Sequence, residues 1–491
     1  MRALSAIIAL ALCAQARNLL LDEAGAALVR ANCPATEVRQ RGSFGYRRTA
    51  VFEAHAQDGC AHGVQETLVD NADYVEDDEV LYSLVPAGVH SAILGQDYDF
   101  AREVQRVVAL ANGQQLLLQA DPYVAVAPVA RLLRSDKDGA LLALHPGKNS
   151  FLRLEGALQQ VPYISLVALA EPLVNVGDNK VEIRHIEEVL ANLTFSSDVA
   201  TVVHSITSQS IRADVRYLSG EDKDSPIWSR HSFSDGALVA ADWVLWKFEQ
   251  AGGKCHLWKW GEGFAPDVVC SFEPAEGTDA EAPIYILGAH YDSRGSFGST
   301  RAPGADDDGS GTSHILAIAK ALHDNRVKLR SRLQIIAFSG EEQGLLGSRA
   351  YAAKLAAESA PVALMIQADM LAYRVPGESA QIGLPESITP RCSASWSATS
   401  ARSTRRSSSS ARRGFLESGF VATQVFERAG PIADPMYHNS GDLVEREGYD
   451  VDQIRSIAKS LWPQSCTPLV SRLRGDFYLE FERIHQFALT L

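Results

Sequence analysis

Pro283-Ile284-Tyr285-Ile286-Leu287-Gly288-Ala289-His290-Tyr291-Asp292 opens on an unbroken apolar run and closes on an imidazole and a carboxylate. Continuous apolar character, without the alternation of a half-solvated strand, predicts a strand over residues 283–287 that is buried on both faces. Residues 333–338 (LQIIAF) form a second such run and residues 362–366 (VALMI) a third. Between the first two, residues 309–322 carry Ile315, Leu316, Ile318, Ala319 and Leu322 at helical spacing. Strand, helix, strand, helix, strand predicts an α/β domain with a mostly parallel central sheet flanked by helices. In such folds ligands gather beyond the carboxyl ends of the strands.

Each run stops at a candidate metal ligand. The first ends in His290-Tyr291-Asp292, the second in Ser339-Gly340-Glu341-Glu342, the third in Gln367-Ala368-Asp369. Between them Asp306-Asp307-Asp308 stands in a glycine-rich turn at a helix start, and Tyr437-His438-Asn439-Ser440-Gly441-Asp442 comes late in the chain. Singly, each has an ordinary explanation: a polar residue after a strand, a helix cap, glutamates facing solvent. Together, at successive strand ends, they predict one metal cleft. Mixed His and Asp/Glu ligation suits zinc, and a carboxylate can bridge two ions. The acidic turn lacks the alternating spacing and terminal Glu of an EF-hand, which argues against calcium. No Gly-x-Ser-x-Gly elbow is present, which disfavours a triad serine hydrolase.

The order His-x-Asp, Gly-Ala-Asp-Asp-Asp-Gly-Ser-Gly, Gly-Glu-Glu, Asp-Met and a late His resembles the co-catalytic zinc aminopeptidases, the secreted bacterial and fungal leucyl aminopeptidases. The likeness covers about residue 193 to the C-terminus. It implies two zinc ions per chain, with His290 and Asp369 on the first, Glu342 and His438 on the second, and Asp307 bridging both. It implies Glu341 as general base and Asp292 as the acid that orients His290, with Asp442 doing likewise for His438. The substrates implied are peptides or proteins with a free N-terminus, attacked by a metal-activated bridging water. Two other classes stay open: a single-zinc glutaminyl cyclase on the same fold, and a catalytically impaired binding homologue.

Working outward, the 491 residues exceed one ordinary domain, and 46% hydrophobic with 22% charged residues is globular composition. A net charge of −14 gives no basic face for nucleic acid. Arg2, the apolar residues 4–13 and Ala14-Gln15-Ala16 read as a cleaved secretory signal over residues 1–16, and no other stretch is apolar enough to span a membrane. A secreted, extracellular monomer is expected. Cys33/Cys60 and Cys255/Cys270 could pair as disulfides in that compartment, with connectivity left open. Asn192-Leu193-Thr194 is a glycosylation sequon.

Residues 17–190 carry His55, His62, His90 and His145 without metal-ligand spacing, and short alternating segments such as 114–119 and 123–127. They read as a smaller N-terminal prodomain, joined through the charged helical stretch 181–191 to the peptidase domain at 191–491. Within that domain residues 391–413 hold nine serines and six arginines in 23 positions. Such composition suits disordered chain. The tract reads as either a frame-shifted stretch of the gene model or a real surface insertion, and in both cases the substrate pocket departs from the family pattern.

Overall fold

The structure, a computed structural model, describes residues 17–21, 23–33, 38–44, 49–55, 72–76, 79–86, 98–113, 128–136, 139–145, 148–161, 164–168, 184, 197–275, 282–296, 299–385, 402–404 and 411–466. The expected signal, the sequon at Asn192, the alternating segments 114–119 and 123–127, and nearly all of 181–191 lie outside them. The chain divides into two compact units, Met1–Pro86 with Asp99–Pro172, and Ala87–Tyr98 with Leu173–Leu491.

In the first unit, β1 (Arg17–Leu21), α1 (Glu23–Asn32), β2 (Val38–Phe44), β3 (Thr49–His55) and β4 (Ala72–Glu76) build an antiparallel sheet ordered β2-β3-β1-β4. A second follows from β5 (Val80–Pro86), α2 (Phe100–Ala111), β6 (Ala130–Ser135), β7 (Ala140–Leu144), α3 (Lys148–Gln159) and β8 (Ile164–Ala168), ordered β6-β7-β5-β8. This second module is the split βαβ arrangement, and the two sheets share one strand order. Period-2 alternation divides the side chains: Leu19 and Leu21 pack on Ala26 and Val29 of α1, while Leu20 and Val51 turn to Leu81, Leu141 and Ala143 of the other sheet.

The second unit begins with α4 (Ser197–His204), α5 (Ser208–Leu218) and α6 (Asp235–Gln250), then β9 (Lys254–Trp258) and β10 (Asp267–Phe272). The core alternation follows: β11 (Ile284–His290), α7 (Gly309–Asp324), β12 (Arg332–Phe338), α8 (Leu346–Ala357) and β13 (Val362–Ala368). β14 (Gly383–Pro385), β15 (Arg402–Thr404), α9 (Arg412–Glu417), β16 (Ala422–Val425) and α10 (Val451–Cys466) complete it. The main sheet runs β16-β13-β11-β12-β10-β9, its first four strands parallel and β10 and β9 antiparallel.

Both faces of β11 are buried, as its unbroken apolar run requires. Ile284 and Ile286 join Tyr351, Leu355 and Phe415 of α8 and α9, while Tyr285, Leu287 and Ala289 join Ile315, Ile318 and Leu322 of α7. Each such side chain contributes about 1.5–3 kcal/mol by leaving water. Gly288 sits where strands crowd: a Cβ there would lie 2.7 Å from Gln367 Oε1 and 2.9 Å from the Phe338 ring. Cys255 and Cys270, opposite each other on β9 and β10, form the expected disulfide. Cys33 is also disulfide-bonded, and Cys60 lies outside the described residues. No helix among the described residues is long and apolar enough to cross a membrane.

The 391–413 tract ends earlier than its composition suggests. Ala411 is fully buried with Phe415, and Arg412 Nε donates to Gln424 Oε1 at 2.8 Å. Packing therefore resumes at Ala411, because a buried guanidinium with an amide acceptor belongs to the domain interior.

Candidate metal centre

Three consecutive aspartates at the start of α7 have three different tasks, set by the amides around them. Asp308 caps the helix: its Oδ1 accepts from Gly311 N at 2.8 Å and Met370 N at 3.2 Å, and its Oδ2 from His290 N at 3.1 Å. Asp306 accepts from Ala372 N at 2.8 Å and Tyr373 N at 3.1 Å, tying the turn to the segment after β13. Asp307 has one oxygen 3.2 Å from His290 Nε2 and the other 3.4 Å from His438 Nε2. The middle acid is thus the one whose carboxylate lies between two imidazoles.

Two groups of side chains lie close enough to hold an ion: His290, Asp308 and Asp369, and Asp307, Glu342 and His438. Asp369 Oδ1 is 3.7 Å from His290 Nε2, and Glu342 Oε2 is 2.9 Å from His438 Nε2. Ligands about 2.0–2.2 Å from a tetrahedral ion stand about 3.4 Å apart, so this donor set fits zinc. Asp308 is close to the first group, but its oxygens are committed to backbone amides. Asp307 Oδ1 is the better-placed third donor. The structure thus brings His290, Asp307, Glu342, Asp369 and His438 together, with Asp308 beside them.

Asp292 stands behind this group. His290 Nδ1 lies 3.2 Å from the Asp292 carbonyl and 3.5 Å from its Oδ1, the usual carboxylate backing of a metal-binding imidazole. The same carboxylate accepts from Ser232 Oγ at 2.9 Å and from the amides of Glu341 and Glu342. One acid thus sets both the imidazole and the turn that carries the two glutamates. Glu341 Oε2 is 4.0 Å from His290 Nε2.

Burial dominates the electrostatics. It pushes the Asp307 carboxyl up to about 6, with Glu342 adding to the effect, and raises Glu341 well above the usual carboxylate range. Burial disfavours charge on His290, but Glu341, Asp292 and Asp307 outweigh it and raise the imidazole well above its ordinary value. Burial would raise Asp292 too, yet its hydrogen bonds from His290 and Ser232 hold it below the usual range. A divalent cation inverts this balance, because it stabilises the ionised carboxylates and the neutral imidazoles together.

Several supporting residues carry no motif. Arg230 is completely buried and donates to four carbonyls, those of Tyr291 at 2.7 Å, Leu218 at 2.8 Å, Gly304 at 2.8 Å and Pro303. It joins the end of β11 to the loop that delivers Asp307. Asp442, expected to orient His438, instead accepts from the amides of Asp306 and Asp307 at 3.0 Å and from Arg446 Nη2 at 3.0 Å. It positions Asp307. His438 has the left-handed φ of +54°, uncommon outside glycine. Ser440 and Ser296 secure that segment by exchanging amide-to-hydroxyl hydrogen bonds of 2.9 and 3.0 Å. Replacing Arg230 with Met leaves four carbonyls without their donor. It is expected to lower stability by about 3–5 kcal/mol, read from urea unfolding; a loss under about 1 kcal/mol would contradict this role.

A parallel sheet whose carboxyl edge gathers buried carboxylates and imidazoles able to hold an ion, with a further glutamate beside them, is an arrangement suited to a metal-dependent hydrolase. Residues 267–459 match peptidase family M28. Identity to leucine aminopeptidase 1 of Metarhizium robertsii is 25% over 378 residues, spanning 68% of this chain and 86% of the relative. Leucine aminopeptidase 1 of Penicillium rubens is 32% identical over 188 residues, 34% of this chain and 48% of the relative. LapB from Legionella pneumophila shares the fold, with a TM-score of 0.54 and 18% identity over 79% of this chain and 98% of its own. Over residues 267–459 the second unit is thus similar to the M28 peptidases, and with its zinc-compatible donor set the chain is a zinc-dependent peptidase.

Proposed function

We propose that this protein is a secreted aminopeptidase that hydrolyses the first peptide bond of substrates with a free N-terminus, and that two zinc ions would be held there with Asp307 as a donor to both. The observation that carries the reading is the Asp307 carboxylate, one oxygen toward His290 and one toward His438, with Glu341 beside it. His290 and Asp369 would complete one position, Glu342 and His438 the other. Zinc there would supply Lewis acidity toward the scissile carbonyl and lower the pKa of a water.

The chain's own residues do the rest. Asp292 holds the His290 ring through Nδ1 and fixes the Glu341-Glu342 turn. Glu342 faces His438, which leaves Glu341 to handle the proton. Its carboxylate takes a proton from the attacking water and passes it to the departing amine nitrogen. A cleft this rich in carboxylates favours the cationic α-amine of a free N-terminus over an acylated one. Completeness of both ligand groups supports hydrolysis over a single-zinc cyclase, and the presence of Glu341 supports an active enzyme over a binding homologue.

The same proposal covers maturation. Residues 1–16 direct secretion, Asn192 carries a glycan, and residues 17–190 are a prodomain released near 181–195. The matured monomer is expected to cleave leucine nitroanilide about 10²-fold better than its N-acetylated counterpart, and to begin between residues 181 and 195. Equal cleavage of both substrates would contradict the aminopeptidase reading. Full activity of a chain beginning at residue 17 would contradict the activation step.

A further inference from the structure

Beside Glu341, at the Ser339-Gly340 corner, stand aromatic rings that the hydrolytic chemistry above does not use. β10 runs antiparallel to β12, so the β9–β10 turn lies at the carboxyl end of β12. From that turn two rings reach the Ser339-Gly340 corner. A Cβ on Gly340 would lie 2.6 Å from Trp260 Cη2 and 3.4 Å from Phe264 Cδ1. Gly340 also has φ of +65°, so the corner requires glycine on two counts. The Phe264 ring centroid is 4.6 Å from that of Trp260 and 4.6 Å from that of Phe233.

All three rings are half-buried, which leaves part of this apolar surface open to solvent. The wall is held firmly. Trp260 Nε1 donates to Ser339 Oγ at 3.1 Å, Ala265 N donates to Ser232 O at 2.9 Å, and the Cys255–Cys270 disulfide ties the hairpin strands. Ser232 in turn accepts from Gly340 N at 2.9 Å through its hydroxyl, so the wall and the catalytic turn share an anchor.

We infer that the Trp260–Phe264–Phe233 wall receives the side chain of the residue that follows the scissile bond, so that substrates with a large apolar second residue are favoured. The inference rests on the aminopeptidase reading. Glu341 gives its proton to the leaving amine, so that nitrogen comes within hydrogen-bond reach of the Glu341 carboxylate. The second residue's Cα is one bond from that nitrogen, and its side chain therefore emerges on the Glu341 side of the cleft. Along the sheet the strand ends run β13, β11, β12, β10, which places Asp369, His290 and Glu341 in that order with the hairpin next. The wall is what a side chain leaving on that side meets. Rings partly open to solvent beside a buried reaction centre gain most by covering apolar surface.

The test uses mature enzyme and four amidated dipeptides, leucine followed by glycine, alanine, leucine or phenylalanine. kcat/KM is expected to be about tenfold higher for leucyl-phenylalanine amide than for leucyl-glycine amide. Phe264→Ala, checked for zinc content and thermal midpoint, should reduce that ratio to about twofold, and Phe264→Leu should keep most of it. A ratio within one protein cancels any general loss of activity from altered packing. A wild-type ratio near one, or an unchanged ratio in Phe264→Ala, would overturn the inference alone. Failure to hydrolyse any of the four would overturn the aminopeptidase reading, and the wall assignment with it.

Discussion

Glu341→Gln is expected to retain its zinc and lose about 10²–10⁴ of its turnover. The amide keeps the shape of the side chain but cannot take a proton from water at neutral pH. Its backbone nitrogen still donates to Asp292, so the turn that also carries Glu342 should stay in place. Neither ligand group includes Glu341, which is why metal content should be preserved. The loss should fall mainly on kcat, since the missing interaction belongs to the transition state. Metal-replete Glu341→Gln protein with near wild-type kcat would remove the general-base role.

Asp307→Ala is expected to have a larger effect, abolishing detectable turnover. The Asp307 carboxylate is the one that lies near both histidines, so its removal takes a donor from each position at once. Losing one ligating or supporting group commonly costs about 10–100-fold in metal affinity, and here two positions share the loss. His438→Ala provides the contrast: it touches only the second group and should empty that position first. Zinc-dependent thermal stabilisation read by calorimetry should disappear in Asp307→Ala and fall only in part in His438→Ala. Equal stabilisation in the two variants would show that Asp307 is not shared.

How far the sequence could be read depends on how local each signal is. β11, β12 and β13 were legible because burial on both faces writes a continuous apolar run, and the α7 stripe because its period is helical. β9 was not, since a partly exposed antiparallel edge gives Lys254-Cys255-His256-Leu257-Trp258 no comparable pattern. The candidate metal-binding residues were legible because strand ends and the Asp306-Asp307-Asp308 turn place them in short motifs. What supports them was not: Ser232 meets Asp292 across 60 residues and Arg230 meets Gly304 across 74. Resemblance named Asp307 among the three acids, but that the oxygens of Asp308 are held by the amides of Gly311, Met370 and His290 is visible only in the folded chain. Asp442 was misassigned for the same reason, being close to His438 in sequence but directed at the Asp306 and Asp307 amides.

The most direct test of the central claim is a zinc count, by mass spectrometry of metals, on purified mature protein and on its Glu341→Gln and Asp307→Ala forms. A bridged two-zinc centre served by a separate proton acceptor predicts two zinc per chain in the active enzyme, two in Glu341→Gln despite its lost turnover, and well under one in Asp307→Ala. A fully active wild-type protein with one zinc or none, or an Asp307→Ala protein that keeps two, would contradict the account.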